Sequence, residues 1–478
     1  MSCAVGPDFR IPDPPFVTAY LPKGPFAGLA PDEQVPGRKV VRGADIPARW
    51  WELFRSRYLN QLIEDGIALN ADLQAAEAAV RVAQANALAQ RGALFPTVVG
   101  NFNATRQKQA LGSVTPTAET GESTFNLFTA QVTVNYVADV FGGVRRQVEA
   151  ADAQVEVQAF QREGVYLTLA SNIALAAIQE ASLRGQIAAT NRIIRIQTEL
   201  LGILQKQHER GQIALPEVVV QETALAQAKL LLPPLQRQLA QQRDLLAFLT
   251  GRFPSESIAA TFQLSTFRLP RTLPLSLPAD LVRQRPDVRV AEANLHAANA
   301  QIGVAIANRL PQITLTGNDG STALALGKLF SPGTGFWTIA GNAAQTLFDA
   351  GTLENKQRAA EESLNQTAAL YRSVVLTAFQ NVADTLRALQ ADSRALEAAI
   401  AAERSASRNI DLVRRQVEQG QFSVPILLAA QQAYLLTSLA RVQAEAARLA
   451  DTVALFQALG GGWWNRPESL AARPRVVQ

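Results

Sequence analysis

Side chains able to do acid–base, nucleophilic or metal chemistry are sparse in this chain of 478 residues, and their spacing assembles no reactive centre. His296 lies among Glu292, Asn299 and Ala300 on a predicted helix, a setting for a structural hydrogen bond, while His208 sits with Glu209 and Arg210 beside a turn. One cysteine, Cys3, excludes an intrachain disulfide, and with only two histidines no Cys/His zinc cluster can form. Glu361 and Glu362 are adjacent on a helix, so they point to different sides and make no acid/base pair. Gly320 to Gly327-Lys328 imitates a phosphate-binding loop, but six residues separate the glycines and Leu329 replaces the hydroxyl residue that would hold magnesium. The chain therefore reads as a non-enzyme, with no cofactor and no metal site.

Composition narrows the remaining classes. Forty-five basic against 41 acidic residues leave a net charge of +4, spread without blocks, which excludes a nucleic-acid binder. No uncharged apolar run reaches the ~18 residues a spanning helix needs, so any membrane crossing must be made by strands.

Any function must instead come from the long elements. From Thr352 to Gln419 there are 68 residues without glycine or proline, and a stretch from about Asp139 to Arg210 repeats it in kind. At ~1.5 Å per residue each predicts a helix of roughly 100 Å. Each ends at a glycine with a proline five residues on, Gly211 with Pro216 and Gly420 with Pro425, and returns through about Pro216 to Leu249 and Pro425 to Leu459. A shift of 209 maps these turns onto each other and Gly460 onto Gly251; upstream, a shift of 215 maps Asp287–Ala293 onto Asp72–Ala78 and Leu310-Pro311 onto Phe95-Pro96. The sequence thus predicts two copies of one unit. Leu167, Ala170, Ile173, Ala174, Ala177, Ile178 and Ala181 recur at three- and four-residue spacing, a narrow seam whose alanines permit close helix approach. Pro233-Pro234 predicts a break in the first return helix that the second lacks.

Four segments alternate with period two. Phe128, Ala130, Val132, Val134 and Tyr136 alternate with Thr129, Gln131, Thr133 and Asn135; Thr97 to Thr105 sets Val98, Gly100, Phe102 and Ala104 against polar neighbours. The second copy has Gln312 to Asn318 and Phe336 to Gln345, and the loops predicted between paired strands are Arg106–Ser123 and Asp319–Gly335. Such segments fit hairpins of a soluble sheet or a membrane barrel. Their length, and Phe95, Phe125, Phe330 and Phe336 near strand ends, favour the barrel. Four strands cannot close one, since small barrels start at about eight, so several chains must share it.

Cys3-Ala4-Val5-Gly6-Pro7-Asp8-Phe9, Trp50-Trp51-Glu52-Leu53-Phe54, Asn70-Ala71-Asp72-Leu73, Arg285-Pro286-Asp287-Val288-Arg289-Val290-Ala291-Glu292, Ala298-Asn299-Ala300-Gln301-Ile302-Gly303 and Leu459-Gly460-Gly461-Gly462-Trp463 occur in order over nearly the whole chain. Together they resemble an outer-membrane efflux lipoprotein of the TolC superfamily, OprM/NodT type. The resemblance implies an α+β membrane protein: a homotrimer with a twelve-stranded outer-membrane β-barrel continuous with a twelve-helix periplasmic α-barrel and a mixed equatorial belt. It implies a passive exit duct for small organic compounds, partnered by a periplasmic adaptor and an inner-membrane pump of the resistance-nodulation-division type. The alternative is an adaptor-like periplasmic coiled coil with no barrel of its own. One methionine and two histidines argue against a dedicated copper or silver conduit.

On this plan the organisation is an extended arm and equatorial segment (1–60), a first repeat (61–251, strand pair 97–137), an equatorial linker (252–280), a second repeat (281–462, strand pair 312–346) and a tail (463–478). The lipid-bearing residue implied is Cys3. Only Met1 and Ser2 precede it, which reads as a signal replaced by an initiator, lipidation belonging to the natural precursor. The adaptor-contact tip maps to Gly211, Gln212, Ile213, Gly420, Gln421 and Phe422. The gate maps to Leu428 and Ala429, with Arg414, Arg415 and Glu418 as tip charges; Ala429 stands where many relatives carry an aspartate ring.

Overall fold

The computed structural model describes residues 4–17, 19–21, 34–35, 38–108, 124–256, 258–269, 272–276, 278–418 and 424–466. In chain order the elements are β1 (Gln34–Val35), β2 (Arg38–Arg42), α1 (Arg57–Leu69), α2 (Ala71–Gly92), β3 (Thr97–Lys108), β4 (Thr124–Ala138), α3 (Gly143–Glu209), α4 (Leu215–Leu230), α5 (Leu232–Leu249), β5 (Thr272–Leu275), α6 (Pro278–Gln284), α7 (Pro286–Ala307), β6 (Gln312–Ala323), β7 (Gly335–Ala344), α8 (Thr352–Glu418) and α9 (Val424–Ala458). They form two compact units, one of Met1–Pro12, Ala79–Gln158 and Ala291–Tyr371, the other of Asp13–Ala78, Ala159–Val290 and Arg372–Gln478.

The first unit holds an antiparallel sheet in the order β3-β4-β6-β7, with β4 and β6 joining the two halves of the sequence. Register carries the alternation of each strand across all four. Val98, Val134, Gly317 and Ile339 lie in one cross-strand row and Gly100, Val132, Asp319 and Trp337 in the next. The opposite face carries Asn101, Gln131, Gly320 and Phe336 in one row, Val99, Thr133, Asn318 and Thr338 in the next, and Thr97, Asn135, Thr316 and Ala340 in the third. Val98, Phe102, Val132, Trp337 and Ile339 are exposed, so nothing among the described residues covers the apolar face there. β6 continues to Ala323, five residues past Asn318, where the sequence suggested a loop. Asp319-Gly320-Ser321 has poor strand propensity, yet pairing on both sides outweighs it. Gly320 is the sheet's tight point: a Cβ there would lie 2.5 Å from the Ala130 carbonyl oxygen.

In the second unit the predicted seam is fully buried from Leu167 to Ala181. Unlike α8, α3 contains glycines in its interior, at about 1 kcal/mol each relative to alanine; Gly185 admits Val442 of α9 so closely that a Cβ would stand 2.9 Å from its Cγ1. The predicted break is present: α4 and α5 meet at Leu231, with the two prolines opening α5, whereas α9 runs 35 residues unbroken. A small sheet β1-β2-β5, in which β2 and β5 are parallel, is absent from the sequence reading.

Equivalent positions of the two halves make equivalent contacts. Asn70 Nδ2 donates to the Leu249 carbonyl (3.1 Å) and Arg285 Nη1 to the Ala458 carbonyl (2.9 Å). Gly251 (φ +70°) and Gly460 (φ +92°) have the left-handed backbone that closes each return helix, and a Cβ would strike the Leu69 carbonyl at 2.5 Å or the Gln284 carbonyl at 2.4 Å. The Trp50–Phe54 and Leu459–Trp463 motifs converge here. Trp50 stacks on Phe456 at 5.3 Å, Phe54 packs against both, and Trp463 Nε1 donates to the Gln284 carbonyl.

Candidate functional site

The junction between strands and long helices is built on aspartates. Asp139 accepts from the amides of Val144 (2.9 Å) and Arg145 (3.0 Å), and Asp349 from those of Gly351 (2.9 Å) and Leu353 (2.8 Å), so each long helix starts on a carboxylate that satisfies its orphan amides. Burial opposes charge on Asp139, yet those amides and the Arg145 guanidinium hold its carboxyl below the usual carboxylate range.

Beside it the N-terminal arm is fastened by Arg146. The guanidinium side chain, 6 % exposed, donates to the carbonyls of Val5 (3.1 Å) and Gly6 (3.3 Å) and pairs with Asp8 (2.8 Å) and Glu149 (2.7 Å). The Val5 amide returns a bond to the Phe141 carbonyl at 3.0 Å, and Asn299 Nδ2 donates to the Pro7 carbonyl at 2.9 Å. His296 stacks on Phe9 with ring centroids 4.3 Å apart, and its Nε2 lies 2.9 Å from Glu149. The hydrogen bond with His296 comes first among the forces that hold the Glu149 carboxyl below its ordinary value; burial opposes it and Arg146 reinforces it. This histidine thus has a structural role, through a partner on α3. Cys3 itself lies outside the described residues, and Ala4 precedes the latched Val5. Sequence reasoning missed Arg146. Its signal is two arginines in the first turn of α3, where the helix dipole disfavours cations unless something else recruits them.

In the second unit α3, α4, α8 and α9 close around Ile193, Leu204, Val218, Ile410, Leu427 and Tyr434. Gly211 (φ +73°) caps α3 in a Schellman turn, with the Gln212 amide bonded to the Gln207 carbonyl at 2.9 Å. Gln212 is exposed, whereas Ile213 packs against the four-helix core and its carbonyl lies 3.0 Å from His208 Nδ1. Leu428 is half-buried against the same core and Ala429 is exposed beside it. Arg414 meets Glu199 at 3.5 Å and Arg415 is exposed. Gly420, Gln421, Phe422 and the Glu418 side chain lie outside the described residues. Among the described residues no group of three or more His, Cys, Asp or Glu side chains is placed to hold a metal, and no helix is long and apolar enough to cross a membrane.

The sequence model of outer membrane efflux proteins matches residues 62–252 and 277–461, most of the chain. The chain belongs to that family. Among its relatives, the pyoverdine export outer membrane protein OpmQ of Pseudomonas putida is 29% identical over 446 residues, covering 92% of this chain and 94% of the relative. The probable efflux pump outer membrane protein TtgC of the same organism is 28% identical over 467 residues, covering 97% and 93%. The solved outer-membrane channel OprN superposes with a TM-score of 0.87 at 25% identity, covering 96% of this chain and all of that one. The Campylobacter jejuni CmeC channel superposes at 0.88, and at 21% identity it speaks for the fold alone. This efflux protein is an outer-membrane component and serves as an exit duct; its family and relatives are channels and ducts.

Proposed function

We propose that three copies assemble into one duct, twelve strands closing a barrel in the outer membrane and twelve helices enclosing the periplasmic tunnel, which passively conducts small organic compounds delivered by an adaptor and an inner-membrane pump. The observation that carries this is the sheet. Its four strands leave β3 and β7 with open edges, its apolar face is uncovered and its other face is rich in Thr, Asn and Gln. Unpaired backbone groups in lipid cost several kcal/mol each, so such a sheet belongs in a closed ring with hydrocarbon outside and water inside. The parallel contacts of the two halves support an origin by internal duplication, with boundaries near 61–251 and 281–462. The tip residues Gln212, Ile213, Gln421 and Phe422 are the proposed adaptor contacts. The arm latched from Val5 onward is compatible with a lipid on Cys3. Mass measurement of the protein purified in mild detergent tests the assembly: a trimer is expected, and a stable monomer refutes it.

A further inference from the structure

The apolar face of the four-stranded sheet changes character at the end remote from the helices. On β6 that face runs from Ile313 to Ala323, ten residue steps. At about 3.4 Å per step and a tilt of ~40° this is roughly 25 Å, the height of the apolar band of an outer-membrane barrel. Ala323 shares a row with Phe128 and Ala104, and the next two positions of the same face on β3, paired with Asn126 and Thr124, are Arg106 and Lys108, both exposed. The β6–β7 connection is tied down at the same limit. Ser321, whose side chain shares the face of Ala130, bonds the Leu329 carbonyl, which Thr334 Oγ1 also reaches at 2.9 Å. Leu329 is thereby buried, while Leu326, Lys328 and Phe330 are exposed. Asp319, two rows inside the limit, is the one carboxylate on this face among the described residues of the four strands. Residues 109–123, which include Glu119 and Glu122, lie outside the described residues.

We propose that this limit is a binding rim for lipids of the outer leaflet that carry phosphate monoesters. The inference rests on the three-chain ring: β3 and β7 are the open edges, so β3 of one copy meets β7 of the next, and Arg106 and Lys108 of one copy flank the same seam as Lys328 of its neighbour. A headgroup phosphate takes two parallel hydrogen bonds from the Arg106 guanidinium, with the two ammonium groups as further counter-charges. The acyl chains lie below it against Phe102 and Ala104, beside the projecting Leu326 and Phe330. Cations gathered just above an apolar band favour an anionic headgroup over a zwitterionic one, which brings no net charge. Each basic residue at such a surface is worth about fivefold in affinity.

The test is native mass spectrometry of the full chain in mild detergent, titrated with diphosphoryl lipid A or with the same lipid stripped of its phosphates. The mass before lipid is added reads the ring: a monomer refutes the duct reading and the seam site with it. On a trimer, the diphosphoryl lipid should bind saturably and at least tenfold more tightly than the stripped one. Replacing Arg106, Lys108 and Lys328 together by Gln should weaken it about 100-fold, whereas Lys356→Gln, which removes a cation on α8, should bind as the parent does. If the triple variant fails to assemble, Lys328→Gln alone on the exposed connection decides, with about fivefold weakening expected. A trimer that binds both lipids equally, a deciding variant that binds as the parent does, or equal weakening by Lys356→Gln overturns the proposal and leaves the duct reading standing. Full competition by millimolar inorganic phosphate also overturns it, since the site would then hold free anions rather than lipid.

Discussion

Replacing Arg146 by methionine should release the N-terminal arm while leaving the rest of the fold intact. Methionine keeps an apolar stem where the arginine Cγ approaches Gly303, so packing is largely preserved and the polar contacts are lost. Two bonds from a charged donor to the Val5 and Gly6 carbonyls contribute about 1.5 kcal/mol each. The Asp8 pair adds only ~0–1 kcal/mol, since its carboxylate side chain is 92 % exposed. Arm opening should therefore become easier by about 3 kcal/mol, equivalent to ~100-fold. Hydrogen exchange of the Val5 amide, bonded to the Phe141 carbonyl, reads this directly, and the Phe262 amide, bonded to buried Glu180, serves as the unaffected reference. Arg146→Lys should recover part of the protection. Acceleration at Val5 below about threefold would refute the assignment of the latch to this residue.

Four further outcomes follow from the same structure. Glu149 has its carboxyl held below the ordinary 4.5, so its contribution is complete above that value and is lost as pH falls through the lowered folded value; Val5 protection, corrected for intrinsic exchange, should drop only in acid. Asp451 on α9 is pushed up to about 7 by burial, then by the hydrogen bond and charge of Asp392 on α8, so the fold binds a proton that the unfolded chain has released above about 3.8. Stability should fall as pH rises through that window, and Asp451→Asn should exceed the parent by about 1 kcal/mol at pH 8 yet match it near pH 3 in thermal melts; equal melts at pH 8 would contradict this. Ala429→Asp should introduce divalent-cation block from the periplasmic side in single-channel recording; strong block of the unmodified channel would show that another carboxylate forms the ring. Charge substitutions at Gln212, Ile213, Gln421 and Phe422 should together abolish pump-dependent export, and intact export would place docking elsewhere.

What was legible in the sequence is what repeats locally. Alternation along Phe128–Tyr136 survives as a face because register copies it from strand to strand, and the alanine seam of α3 is buried because helical spacing alone puts those residues together. Features set by distant partners were not legible. Asp319-Gly320-Ser321 reads as a turn until two neighbouring strands pair with it, and β5, with Pro274 inside it, becomes a strand only beside β2, more than 200 residues earlier. Arg146 joins segments about 140 residues apart, so nothing local in the sequence shows what recruits a basic charge to that helix start. The burial of Gln197 and Gln431 was hidden for another reason: glutamine suits a helix surface, and only packing shows that these two are not on one.

The two halves differ most where the proposed ring would be least symmetric. Their return helices cover the same length, yet Pro233 and Pro234 deprive the Lys229 and Leu230 carbonyls of their normal amide partners, and no proline interrupts α9. In a ring of three chains the interrupted and continuous hairpins alternate, so six similar hairpins make a tip of threefold rather than sixfold symmetry. A partner docking there meets two inequivalent grooves, and contacts learned at one hairpin do not transfer to the next. Exposed Leu230 and Leu231 lie at the interruption, so the break and its apolar side chains occur together once per chain. The break thus gives the interrupted hairpin a chemical identity that its otherwise matching partner lacks.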